Sequence, residues 1–283
     1  MYFGLVSLLV DSQLNSYIST LTFTKYSSTY NSFVHVLRCI FILPAAPSDP
    51  SRIVGGDLTT IDKYPSMAVV LFSQNLVSFG HICGGTIINN RSVLSAAHFH
   101  CNVTIAVSFR LGAVQNFRVR VGSSFANSGG DVLPLGNIIV HPEYLPTAHD
   151  HDIAILHTSV PIVYSENVQV APIAAPSYTL ADDEVVWATG WGRIVVSLLW
   201  TVNQESCRRR YLLDFKRITT EMLCTGWLNV GGRDQCQGDS GGPVYHNGVV
   251  IGVCSFGRGC ASPIFPGVNA RVSSYSNWIQ ANA

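Results

Sequence analysis

The chain has 283 residues, only 12% of them charged, and its 17 basic and 17 acidic side chains give a formal net charge of zero. That balance offers no basic face to nucleic acid. No uncharged run reaches the ~20 apolar residues that cross a bilayer, so neither nucleic acid nor a membrane is an expected partner. Eight cysteines place the chain in an oxidising compartment.

Residues 1–52 differ from the rest. Met1–Val10 is apolar but lacks a basic start, and Asp11 closes it. A second apolar run, Val34–Leu43, is followed by Pro44-Ala45-Ala46-Pro47, small residues of the kind found where a secretory signal is cut. A signal begins at the initiator methionine, so residues 1–32 read as an upstream extension. Residues 1–46 together form an atypical N-terminal segment with a signal-like part, and a secreted, extracellular protein is expected.

From Ile53 onward the chain is long for one compact core and suits one large β domain or two fused barrels. Met67–Phe72, Thr86–Ile88, Ile138–Val140, Ile153–His157, Val185–Ala188 and Val249–Val253 are short Val- and Ile-rich segments between glycines, prolines and polar clusters. They predict an all-β sandwich or barrel. No long amphipathic helix is expected in the interior. At the end, Val272, Tyr275 and Ile279 recur at helical spacing and predict a helix over Val272–Gln280.

The chemistry is concentrated in three places. Residues 234–243 read Asp-Gln-Cys-Gln-Gly-Asp-Ser-Gly-Gly-Pro, which sets Ser240 on a turn too tight for bulky neighbours. There its hydroxyl can act as a nucleophile and nearby N–H groups can face a developing oxyanion. Ser-Ala-Ala-His ends at His98, a candidate base, and His-Asp-Ile-Ala places an acid at Asp152. Ile53-Val54-Gly55-Gly56 follows a basic Arg52. In their chain order, His98, Asp152 and Ser240, these residues resemble the trypsin-like serine endopeptidases of the chymotrypsin family, and most of all the digestive trypsins of insects. The resemblance runs from Ile53 to Ala283.

That resemblance implies two antiparallel β-barrels, about 53–165 and about 166–283, with the site between them and a short C-terminal helix. His98, Asp152 and Ser240 would be catalytic, and Gly238 and Ser240 would donate the oxyanion-hole N–H groups. Asp234 would form the floor of the pocket that receives Arg or Lys, with Gly257 and Gly267 kept small along its walls. Ser255 and Phe256 would lie on the strand that pairs with substrate, Phe256 standing where many members carry tryptophan. Residues 47–52 would be an activation peptide cut at Arg52, and the freed amine of Ile53 would pair with Asp239. Bridges are implied for Cys83–Cys101, Cys207–Cys224 and Cys236–Cys260. Two residues, Phe99 and His100, separate His98 from Cys101, where the family places the cysteine next to the histidine. Cys254 lies in an apolar run and reads as a buried thiol.

The expected activity is hydrolysis of peptide bonds after Arg or Lys by a secreted, zymogen-derived, digestive endopeptidase. It would be monomeric and without cofactor, with protein and peptide substrates and proteinaceous trypsin inhibitors as partners. Alternatives are a regulatory cascade protease and an inactive homologue that serves as a binding protein. His149-Asp150-His151-Asp152 follows no standard zinc spacing, and no metal is expected. Beyond Arg52 the chain has twelve Arg against two Lys, Lys63 and Lys216, a bias that fits an alkaline milieu in which Lys approaches its pKa of ~10.4. Family members have a longer loop between Trp191-Gly192-Arg193 and Trp200 than this chain, which leaves the fit of that region to the fold open.

Overall fold

A computed structural model describes residues 56–99, 113–191, 194–236 and 238–283. Thirteen strands and two α-helices are recorded among them. β2 (Met67–Phe72), β3 (Gly80–Ile87), β4 (Ser92–Ser95), β5 (Phe117–Val121), β6 (Asp131–Val140) and β7 (Ala154–Thr158) close a barrel in the order β2-β3-β4-β7-β6-β5. β8 (Val185–Trp191), β9 (Ile194–Thr201), β10 (Met222–Gly226), β11 (Pro243–His246), β12 (Val249–Phe256) and β13 (Gly267–Arg271) form the second, closed by pairing of β9 with β8. The edge strand β1 (Asp57–Leu58) adds to β9. Every ladder is antiparallel. The expected two-barrel, all-β fold is thus the observed one.

Alternation accounts for the first barrel. In β5, Phe117, Val119 and Val121 are buried while Arg118 and Arg120 turn outward, and the buried set packs with Val70, Ile87 and Leu156. A larger cluster joins the barrels: Leu94, Ile153 and Ile155 of the first pack with Val186, Leu199 and Val253 of the second. Each such side chain gains ~1.5–3 kcal/mol from burial. Ser66 and Tyr245 hydroxyls bond at 2.8 Å across the same seam. The C-terminal helix α2 (Val272–Asn282) buries Val272, Tyr275, Ser276 and Ile279, the face its spacing predicted.

Three features depart from the sequence reading. A second helix, α1 (Gln204–Leu212), stands in the interior, capped by the Asn203 side chain, which accepts from the Ser206 N–H. Its only buried residues are Cys207 and Tyr211, one turn apart, so it carries almost no apolar periodicity to read. The Cys207–Cys224 disulfide pins it to β10. Closing that short loop contributes about 3 kcal/mol in the chain-entropy model. The second departure is the short segment after Trp191. β8 and β9 pair in register from Val185↔Trp200 to Trp191↔Ile194, and the barrel is closed by that pairing.

The third concerns Cys83. Cys207–Cys224 and Cys236–Cys260 are bridged as expected, but Cys83 is a free, buried thiol where a bridge to Cys101 was expected. Phe99, one of the two residues inserted after His98, is buried in the same apolar cluster as Cys83 and edges against Phe117. The inserted Phe99 therefore takes its place in the first barrel's core. Cys101 lies outside the described residues, as do Cys39, Arg52 and Ile53. Cys254 is free and buried, and burial raises its pKa.

Candidate active site

Strand register brings His98 and Asp152 together. β4 and β7 pair with Ser95 opposite Ala154. His98 follows that pair by three residues and Asp152 precedes it by two, so both project from the same end of the barrel. His98 Nδ1 lies 2.7 Å from Asp152 Oδ2. Asp152 Oδ1 accepts the backbone N–H groups of Ala97 and His98, both at 2.8 Å. A short hydrogen bond from the Ser255 hydroxyl completes Oδ2. Asp152 is 1% exposed. Burial alone would raise its pKa, but the bond and charge of His98, with the bond from Ser255, hold it below the ordinary carboxylate value. Ser255 was expected only on the substrate strand. Its contact with Asp152 spans 103 residues of sequence and has no local signal.

Ser240 is placed by the meeting of the barrels. The Gly84 N–H of β3 donates to the Ser240 carbonyl at 2.7 Å, and the Gly241 N–H donates to the Cys254 carbonyl at 2.8 Å. A Cβ on Gly84 would come within 2.9 Å of Gly242 Cα. Gly241 has φ +78° and its Cβ would meet Ser95 Oγ and the Gly84 carbonyl. Small residues are thus required on both sides of the turn. Among the described residues no hydrogen bond joins His98 to Ser240, a contact that in such sites often tightens only with substrate bound. Gly238 has φ +91° at the base of the turn.

A cavity of about 220 Å³ opens beside Ser240, lined by Asp234, Ser255, Phe256, Gly257 and Gly267. All the residues expected to recognise substrate therefore share one hollow. Asp234 is 3% exposed, its oxygens accepting from the Gln235 N–H at 2.8 Å and the Ala261 N–H at 3.0 Å. Burial outweighs those two bonds and pushes its pKa up to about 7. A Cβ on Gly267 would lie 2.8 Å from Asp234 Oδ1, so a side chain there would displace the carboxylate. The Cys236–Cys260 bridge ties the segment carrying Asp234 and Ser240 to the loop carrying Ala261.

Asp239 is fully buried. Oδ2 accepts the Cys236 N–H at 2.8 Å, and Oδ1 is without a hydrogen-bond partner among the described residues. Burial pushes its pKa up to about 7, and the charge of Asp234 adds to the rise against the lowering effect of the Cys236 and Trp191 backbones. Gly190 makes room for it, since a Cβ there would overlap Asp239 Oδ1. Gly190→Ala is expected to expel the Asp239 carboxylate and abolish most activity while the barrel still folds. Peptidase assays beside circular dichroism check this, and wild-type turnover in the variant would refute it.

The trypsin family model matches residues 53–279. The chain belongs to the trypsin family. It is 51% identical over 249 residues to "Trypsin, alkaline C" of Manduca sexta, covering 84% of this chain and 94% of that protein. It is 48% identical over 258 residues to "Trypsin CFT-1" of Choristoneura fumiferana, covering 88% and 97%. Achelase-1 of Lonomia achelous is 46% identical over 245 residues, covering 82% of this chain and all of that protein. The protein is accordingly a trypsin-like serine endopeptidase acting on protein or peptide substrates.

Proposed function

We propose that this endopeptidase cleaves after Arg or Lys through an acyl-enzyme on Ser240. Substrate backbone enters along Ser255–Gly257, and its cationic side chain fills the cavity toward Asp234. His98 takes the Ser240 proton as the hydroxyl oxygen attacks the carbonyl carbon, then returns it to the leaving amine. Asp152 fixes the imidazole tautomer and stabilises its cation. Gly238 and Ser240 N–H groups receive the oxyanion, each worth ~2.7–4 kcal/mol in sites of this kind. Water then repeats the cycle to release the acid. The observation that carries the reading is the single cavity holding both a buried, unpaired-with-cation Asp234 and Ser240. A serine-directed phosphonate should label Ser240 and be blocked by benzamidine. Labelling retained in Ser240→Ala would assign the nucleophile elsewhere.

The inactive-homologue reading is not favoured, given relatives named as trypsins at about half identity. Secretion and a digestive role in an alkaline milieu are supported by the signal-like segment, the Arg bias and the name of the Manduca relative. The same reading makes the chain a monomeric zymogen, inhibited by proteinaceous trypsin inhibitors.

Activation would follow cleavage after Arg52. Asp239 is buried, and one of its oxygens has no hydrogen-bond partner among the described residues; this supports an ion pair with the new amine of Ile53, since a buried carboxylate without a cation is costly. An Arg52→Gln precursor is expected to stay uncut and inactive, as read by N-terminal sequencing beside a peptidase assay; full activity in the uncut chain would refute the mechanism. The pH dependence has a definite sign. Asp234 and Asp239 both rise from 3.8 to about 7 on folding. Their protonated forms favour the fold, so precursor stability is fullest at acid pH and falls as pH rises from about 4 through about 7. Urea unfolding of the Ser240→Ala precursor across that range tests the sign. After cleavage the amine's pKa rises above its free value of ~7.7–8.0, and the pair is lost only as pH passes the raised value.

A further inference from the structure

The loop from His141 to Asp152 carries three histidines that go separate ways. His149 lies against His98 and Phe256, with ring centroids 5.8 and 5.4 Å away. His151 turns to the opposite side. Its ring stacks on His141 at 5.0 Å with 8° between planes, and its Nε2 lies 3.7 Å from Glu143 Oε2. Its Nδ1 is 3.3 Å from the Tyr275 hydroxyl. His149 and His151 have φ of 53° and 51°, left-handed values that only surrounding contacts sustain in residues with a side chain. One ring nitrogen of His141, one of His151 and a carboxylate oxygen of Glu143 all lie within 4.8 Å of one another.

We infer that His141, Glu143 and His151 form a binding site for one divalent transition-metal ion of the zinc class, separate from the reaction site. Two imidazoles and a carboxylate are characteristic zinc donors, whereas calcium and magnesium favour oxygen-only sets. The donor atoms are close together but too far apart for bonds of ~2.0–2.2 Å, and the parallel rings of His141 and His151 must tilt for their in-plane lone pairs to meet one ion. Glu143 supplies the rest of the adjustment, because its side chain is 71% exposed and can swing inward. Water completes the coordination. Tyr275 occupies the place of an outer partner, holding the ring of His151 through the nitrogen that faces away from Glu143.

The donors come from both ends of the loop. His141 directly follows β6, and His151 directly precedes Asp152. A bound ion therefore staples together the two ends of the segment that lays His149 against His98. Binding to the native state alone raises thermal stability by mass action.

The test uses the full chain carrying Ser240→Ala, which cannot digest itself, freed of metal with a chelator and titrated with Co²⁺ and then Zn²⁺. One Co²⁺ per chain should bind, with visible bands of a low-coordinate nitrogen–oxygen site that Zn²⁺ abolishes. Saturating Zn²⁺ should raise Tm by roughly 5 °C. Glu143→Gln, at an exposed position that leaves the fold intact, and His141→Asn should each weaken binding at least tenfold, and Tyr275→Phe by about tenfold. His149→Asn should leave it unchanged. The proposal is overturned if no Co²⁺ is taken up, if uptake survives both Glu143→Gln and His141→Asn, or if His149→Asn abolishes it.

Discussion

Asp152→Asn should lower kcat by about 10⁴ with little change in KM, a magnitude taken over from the serine–histidine–aspartate template of this family. The structure gives the reason in this chain. Oδ1 accepts two backbone N–H groups, from Ala97 and His98, so the oxygen of an asparagine must occupy that position. Its amide nitrogen then replaces Oδ2 and donates to His98 Nδ1, where the carboxylate had accepted. The imidazole is driven into the tautomer that carries its proton on Nε2. That nitrogen can no longer take the proton of Ser240. Because Asn preserves volume and hydrogen-bond count, the fold and the binding of benzamidine should be retained. Steady-state kinetics with an Arg substrate, beside benzamidine affinity, checks the prediction. A loss of tenfold or less would remove Asp152 from its proposed role.

Asp234→Ser should reverse the preference for cationic side chains. A substrate Arg buried in the cavity of about 220 Å³ would lose its counter-charge, and breaking a buried ion pair costs about 3–5 kcal/mol. That corresponds to between about 10² and 10⁴ in kcat/KM for Arg relative to Leu. The serine hydroxyl can still serve one of the N–H groups of Gln235 and Ala261 that the carboxylate satisfies, which limits damage to the pocket wall. A pH signature accompanies the wild type. With its pKa pushed up to about 7, Asp234 is charged only above that value in the free enzyme, so KM for Arg substrates should fall as pH rises through about 7. KM for a Leu substrate should not follow it. An unchanged Arg-to-Leu ratio in Asp234→Ser would place the specificity determinant elsewhere.

The family and the two-barrel fold were legible because their signals are local, and the site residues proposed here come from the same local motifs. The turn around Ser240 demands Gly241 and Gly242, and strands such as Met67–Phe72 write their burial into an unbroken apolar run of Met, Ala, Val, Leu and Phe. Where a signal was local but weak, reading stopped short: α1 buries only Cys207 and Tyr211, so its helical period scarcely shows.

What tertiary structure alone decided are meetings between residues far apart in the chain. Ser255 completes the shell of Asp152 from another barrel, and Gly190 is small because Asp239 lies against it. Phe99 enters the core beside Cys83, which no spacing rule foretells. His149 and His151 are two residues apart and both have left-handed backbone, yet one faces His98 and the other His141. Sequence fixes which groups exist and which local backbone they favour; only packing of the barrels, with no sequence-local energy behind it, decides which of those groups share a shell.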